Sequence, residues 1–311
     1  MDKMNGDRKG NKCKKLIVHN WRLYVLMLPA LIWLIVFAYY PMYGLLISFK
    51  DYKGTLGILG SPWATPLWKH FAAFFSTSIA KNVIVNTLAL SLLTILFSFP
   101  IPIVFALLLN QIQGKRKRKF VQTISYAPYF VSNVVVVSIM NVICAPSGFV
   151  NTIIQQIIGR PLLLMSSAEY FRTMYIVSNI WQTMGFSAIV YIAALTGISP
   201  EYHEAAIMDG ATKFQRILHV DIPLIMPTII IMLILALGNI MTVGYEKVYL
   251  MQAGTNTQVS EIISTYVYKV GLQNAQYSFA TAVGLFNAVV NFIILVVANQ
   301  ITKKTSDISI F

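Results

Sequence analysis

Charged side chains leave six long gaps in this sequence. Residues 23–49, 82–114, 120–159, 173–200, 222–245 and 270–302 contain no Asp, Glu, Lys or Arg. A helix needs about 20 apolar residues to cross a bilayer, so the pattern predicts six membrane helices, at about 23–48, 83–109, 127–145, 172–196, 224–245 and 277–301. The second carries Pro100 and Pro102, tolerated in membrane helices, where proline usually introduces a kink. The first apolar run is too long for a signal peptide. It ends in Ala38-Tyr39-Tyr40-Pro41-Met42-Tyr43, which is no small-x-small cleavage site, so it reads as a retained span. The expected fold is all-α and polytopic, with a basic leader at 1–22, a transmembrane domain at 23–303 and a tail at 304–311.

Composition agrees with the pattern. Of 311 residues 57% are apolar and 11% charged, against roughly 25% charged in a soluble domain. That excludes secreted enzymes, cytosolic enzymes and nucleic-acid binders as starting readings. The net charge of +13 comes from 24 basic and 11 acidic residues, and its placement carries the information. Six spans put both termini on one side. That side collects 16 basic residues: seven in the leader, the run Lys115-Arg116-Lys117-Arg118-Lys119, and Lys213, Arg216, Lys303 and Lys304. The other side has eight, among them Lys50, Lys69, Arg172 and Lys247. Basic residues stay inside, so the termini are expected in the cytoplasm, with the Lys115–Lys119 run anchoring the loop on anionic lipid headgroups. Cys13 and Cys144 are too far apart to build a metal site or disulfide framework.

The outer loops contain structure of their own. Val150, Ile153, Ile154, Ile157 and Ile158 repeat at helical spacing before Gly159, and Ile262, Ile263, Tyr266 and Val267 share one side of a second short helix over 261–269. Either helix packs on the bundle or forms a landing surface for an external partner. Within the spans the polar residues are uncharged: Asn133, Asn141, Asn179, Gln182, Asn239, Thr242, Asn287 and Asn291, with Trp181 among them. Proton-coupled carriers and ion pumps need intramembrane charge. This set suits a neutral, polyhydroxylated solute.

The loop between spans four and five carries the sharpest local signals. Ser199 is placed to cap a helix, Pro200 fits its first turn, and Glu201 suits its positive end. Gly210 is placed to end it in a left-handed turn. Thr212 and Gln215 have capping-box spacing for a second helix, and Pro223 opens span five. Ala205 and Ala206 keep the first helix slim, so another surface can approach closely. A DNA-reading helix-turn-helix is excluded by charge, since Glu201, Glu204, Asp209 and Asp221 face only Lys213 and Arg216.

Glu204-Ala205-Ala206, then Gly210, then Val220-x-Ile222-Pro223 resembles the E-A-A-x-x-x-G-x9-I-x-L-P loop of the type I importer permeases of ATP-binding-cassette transporters, with two apolar-for-apolar departures. Pro41-Met42-Tyr43-Gly44, Phe49-Lys50-Asp51-Tyr52, Gly60-Ser61-Pro62-Trp63 and Thr265-Tyr266-Val267-Tyr268-Lys269-Val270-Gly271 are similar to carbohydrate permeases of the maltose type, within them the polysaccharide and oligosaccharide importers common in Gram-positive bacteria. The resemblance implies a type I permease fold in the bacterial plasma membrane. It implies a heterodimer with a sister permease, two ATPase subunits that hold ATP and Mg²⁺, and an extracellular solute-binding lipoprotein. It also implies ATPase coupling through Glu204, Ala205, Ala206, Asp209, Gly210, Ala211 and Phe214.

The chain is not expected to be an enzyme or to bind a cofactor or metal. Gly114-Lys115-Arg116 lacks the Ser or Thr and the upstream Gly of a phosphate loop, so a partner must supply the energy. For the solute path, Asn239 and Thr242 share a face beside Gly238, whose missing side chain would let a sugar approach the backbone. Trp181, Gln182 and Phe186 offer a ring to stack on a pyranose and an amide to read its hydroxyls. Asn133 is a further candidate. The same polar residues could instead only link helices. The competing readings are import of another neutral solute by the same architecture, a stand-alone secondary carrier, and a membrane-embedded enzyme. The last would want clustered His, Asp or Glu, but the four histidines are scattered.

Overall fold

The computed structural model describes residues 20–306. Cys13, His19, most of the basic leader and the end of the tail lie outside the described residues. Among these no strand forms, apart from one isolated antiparallel bridge between Lys50 and Trp63. The chain divides into two compact units, one ending at Lys69 and one beginning at His70.

In the first unit, α1 (Trp21–Phe49) is long and apolar enough to cross a membrane. It widens into a π turn at Ile35–Tyr39, just before Pro41, and tightens into 3₁₀ geometry at Tyr43–Phe49. Pro41 has no N–H to give the preceding turn, and such local adjustment is the usual response. The loop that follows closes on Lys50. Its Nζ donates to the carbonyls of Ile58 and Leu59 at 2.8 and 3.0 Å and lies 4.8 Å from the Trp63 ring centre.

The second unit contains α2 (Ser78–Asn110), α3 (Lys115–Tyr126), α4 (Asn133–Ile143), α5 (Phe149–Ile158), α6 (Ala168–Thr196), α7 (Pro200–Met208), α8 (Lys213–Gly238), α9 (Tyr245–Met251), α10 (Ile263–Tyr268) and α11 (Tyr277–Ser306). Among the described residues, α1, α2, α6, α8 and α11 meet the length and hydropathy needed to span a bilayer. The expected third span is not one straight helix. The basic helix α3 runs into a 3₁₀ turn at Ala127–Phe130, and α4 departs from it at 96°. Pro128 removes an N–H at the break, Val131 and Ser132 are extended, and the Ser132 hydroxyl then caps α4 by accepting from Val135 N at 3.4 Å. Eleven residues of α4 rise only ~16 Å, so only the bent pair together could cross. The fifth span also differs: α8 begins at Lys213, stops at Gly238, and yields to an irregular stretch before α9. Asn291 of α11 holds that broken end, accepting from Met241 N at 2.8 Å and donating to Thr242 Oγ1 at 2.9 Å.

Three apolar clusters make the core of this unit. One joins Leu90, Val136, Met140, Phe171, Val248 and Ile262. A second joins Leu107, Leu109, Ala188, Tyr191, Leu195 and Ile225. A third surrounds Phe74, with Val83, Met241, Ile263 and Val283. Along α6 the first cluster ends at Ile176 and the second begins at Ala188. The eleven residues between them cover ~18 Å and include the polar positions Ser178, Asn179, Gln182 and Thr183. The helix pattern itself therefore leaves a polar belt between two greasy layers. Small residues let neighbours reach this belt: the missing side chain of Gly185 makes room for the Ser125 backbone of α3.

The two short helices expected in the outer loops behave differently. Gly159 ends α5 in the left-handed region, at φ +84°, and α5 leaves Phe149, Ile157 and Ile158 exposed. By contrast α10 is packed: Ile262 and Ile263 are fully buried, and Tyr266 meets the Phe279 ring edge-on at 6.2 Å.

Candidate functional site

The polar belt of α6 opens into a cleft of about 440 Å³ lined by Asn133, Asn179, Gln182, Thr183, Glu246 and Lys247, with Tyr129, Tyr175 and Ser132 around them. That volume falls within the roughly 300–1,000 Å³ of small-molecule sites. Gln182 is its hub. Its Nε2 donates to Val131 O at 3.0 Å and Asn133 Oδ1 at 3.3 Å, and its Oε1 accepts from Lys247 Nζ at 3.0 Å. Asn133 in turn donates to Glu246 Oε2 at 2.6 Å. Lys247 is 3% exposed. Burial with no compensating carboxylate lowers its ammonium pKa from the ordinary lysine value to about 8. Tyr129 and Phe186 form an aromatic wall beside the cleft, stacked at 3.9 Å between ring centres and 4° between planes.

Of the residues singled out in the sequence for the solute path, Asn133 and Gln182 line this cleft. Phe186 stands behind Tyr129, which covers one face of its ring. Trp181 is half-exposed and is not among the lining residues. The three positions on the other side of the α8 break have other neighbours. The space expected at Gly238 is filled by α11, since a Cβ there would lie 2.6 Å from Leu295 Cδ1. Asn239 donates back to Leu235 O at 3.0 Å, and Thr242 accepts from Asn291. Sequence reasoning placed Lys247 in an outer loop and expected no buried charge in the bundle. Instead the break after Gly238 lets α9 fold back against α4 and α6, which brings Lys247 and Glu246 to the cleft. The charged pair Glu246-Lys247, immediately after the uncharged run that ends at Tyr245, was the available signal.

At the far end of the bundle, α7 and α8 form an elbow. Pro200 sits in the first turn of α7, and Ser199 occupies the cap position without a side-chain cap bond. Gly210 ends α7 with φ +79°, and Gly210 N→Ile207 O at 3.0 Å with Ala211 N→Ala206 O at 2.9 Å completes a Schellman turn. Thr212 and Gln215 then form the capping box: Thr212 N donates to Gln215 Oε1 at 2.8 Å, and Gln215 N to Thr212 Oγ1 at 3.3 Å. The positions singled out for coupling lie on this elbow. Glu204, Ala205, Asp209, Gly210 and Phe214 are exposed, and Ala206 and Ala211 are partly so. Around them Tyr202, Ile207, Met208 and Leu218 also face outward. Beside the elbow His203 Nε2 lies 3.3 Å from Oδ1 of the fully buried Asp221, an ion pair when the ring is protonated, while neither Asp221 oxygen accepts a hydrogen bond. Asp221, expected in the loop before span five, lies in a π turn inside α8 and is a second buried ionisable group.

Residues 71–307 match the family model of the binding-protein-dependent transport system inner membrane component. The chain is 40% identical over 307 residues to the polygalacturonan/rhamnogalacturonan transport system permease protein YteP of Bacillus subtilis, covering 97% of this chain and 95% of that one. It is 41% identical over 290 residues to protein LplB of the same organism, covering 93% and 91%. Among solved structures, it superposes with a TM-score of 0.87 and 40% identity on a chain of a bacterial ABC transporter involved in import of the acidic polysaccharide alginate, covering 95% of this chain and 99% of that one. A second structure of a bacterial alginate transporter, in complex with an alginate pentasaccharide-bound periplasmic protein, gives 0.86.

Proposed function

Because the chain belongs to the family of binding-protein-dependent transport system inner membrane components, we infer that it is the permease subunit of an ATP-binding-cassette importer of oligosaccharides or polysaccharide fragments. It sits in a bacterial plasma membrane with both termini in the cytoplasm, pairs with a sister permease, and receives solute from an extracellular binding lipoprotein. The relative solved with a sugar-loaded periplasmic protein supports the last point.

The chain performs no catalysis in this reading. ATP and Mg²⁺ are held by two partner ATPase subunits, one of which grips the α7–α8 elbow. The observation that carries this is the exposed apolar patch of Tyr202, Ile207, Met208 and Phe214 on a turn stiffened by Gly210 and by the Thr212–Gln215 box. Closure of the ATPase pair pushes on α7. The elbow is continuous with α8 and is linked to its root by His203 and Asp221, so the push reaches the bundle. Rigid-body rocking then exposes the cleft between the two apolar layers first to one side and then to the other. In the cleft the Asn179, Asn133 and Thr183 side chains offer hydrogen bonds to sugar hydroxyls, and the Tyr129 ring offers an apolar face.

A cysteine at Phe214 tests the contact. Phe214→Cys should cross-link to a cysteine placed in the cleft of the co-expressed ATPase subunit, and ATP should change the yield. No cross-link at any cleft position would remove the elbow as the docking point.

A further inference from the structure

We propose that Lys247 reads a carboxylate on the solute, so that this importer takes acidic oligosaccharides containing uronic acid units. The proposal rests on the cleft being the solute path and adds a substrate class that the uncharged polar residues of the spans do not predict.

A buried cation is costly unless an anion or full hydrogen bonding compensates it. Among the described residues Lys247 has neither. Its ammonium carries three N–H groups, and its one hydrogen-bond partner is Gln182 Oε1. Among the described residues no carboxylate lies within 4.0 Å of it. The neighbouring carboxylate, Glu246, is engaged by Asn133 instead. The groups facing Lys247 are the Gln182 amide and the Tyr175 ring of α6, the ring centre 6.0 Å away. Gln182 is itself fixed by Val131 and Asn133, so it holds the ammonium in place without neutralising it. Two N–H groups remain for a ligand in a cleft that also offers the Ser132, Asn179 and Thr183 side chains to sugar hydroxyls.

A carboxylate is the complement of that arrangement, because a charge-assisted hydrogen bond gains most where water is scarce. Burial also depresses the pKa of Lys247, and an incoming anion opposes that shift by favouring the charged form. Glu246 is exposed at the same cleft, bonded to Asn133 rather than to Lys247, and its negative charge weakens the hold on an incoming acid. The acid is therefore held without being trapped, as a transport site requires.

The test uses the full importer in proteoliposomes with ATP inside, supplied with trigalacturonate, an alginate trisaccharide, the methyl ester of each, and maltotriose. The unaltered importer should move at least one acid with kcat/KM about tenfold above that of its ester, the discrimination one charge-assisted hydrogen bond carries. Lys247→Met should raise KM for that acid by about tenfold and flatten the acid-to-ester ratio, and Lys247→Arg should keep most of the preference. Equal transport of acid and ester by the unaltered importer overturns the proposal without any variant, as does a ratio preserved in Lys247→Met. Transport of maltotriose alone overturns the acidic class and leaves the importer standing. If no sugar moves, the importer reading falls as well.

Discussion

Gly210 is the most informative single position, because its structural requirement is confined to its backbone. A Cβ at this residue meets nothing within 4 Å, so no clash inside the chain confuses the result. What a side chain meets is the left-handed backbone at φ +79°, which costs an L-residue roughly 1–2 kcal/mol, least for Asn and most for a β-branched side chain. That is about a 5–30-fold loss in the population of the intact turn. Relieving the strain would break the Schellman bonds from Gly210 N and Ala211 N, worth about 1 kcal/mol each. The end of α7 would then fray beneath the docking patch. Gly210→Asn, Gly210→Ala and Gly210→Val should therefore leave the chain in the membrane but lower the sugar moved per ATP hydrolysed, with Asn least affected and Val most. The assay is parallel measurement of uptake and ATPase in proteoliposomes holding the full importer. Normal uptake per ATP in Gly210→Val would refute the coupling argument. Equal damage from Asn and Val would refute the strain argument and point to bulk against the partner.

Two further outcomes follow from the bundle. Gly185→Ala should sharply lower the amount of folded protein in the membrane, because the new Cβ would fall on the Ser125 backbone where α3 crosses α6; neither backbone can give way without moving a helix, and thermal melting in detergent would show the loss. The pH profile of acid uptake reports Lys247. Its burial-lowered pKa of about 8 leaves the ammonium charged below that value and neutral above it, so uptake of a uronate trisaccharide should fall as external pH rises from 7 through 9, while Lys247→Arg, whose guanidinium stays charged, should abolish that fall.

The elbow could be read from sequence because every one of its signals is local. Gly210, the Thr212–Gln215 pair and Pro200 each act within one turn of helix, and each adopts the expected geometry. The amphipathic helix before Gly159 was legible for the same reason. The break between α3 and α4 was not, since hydropathy sees one uncharged run and cannot distinguish a kink at Pro128 from a 96° turn. Lys247 was hidden by the same averaging: a charge after an apolar run reads as a loop until the early end of α8 turns α9 back onto α6. Gly238 is the converse error. A glycine in a membrane helix creates space, and only the approach of α11 decides that Leu295 fills it.

In the proposed mechanism this chain supplies a path and a lever but no power. Reconstitution settles it most directly: the purified chain alone, and the same chain with its sister permease, ATPase pair and sugar-loaded binding lipoprotein, each in proteoliposomes with ATP inside. Uphill sugar accumulation is expected only with all companions and intact ATP hydrolysis. Sugar transport by the chain on its own would contradict it.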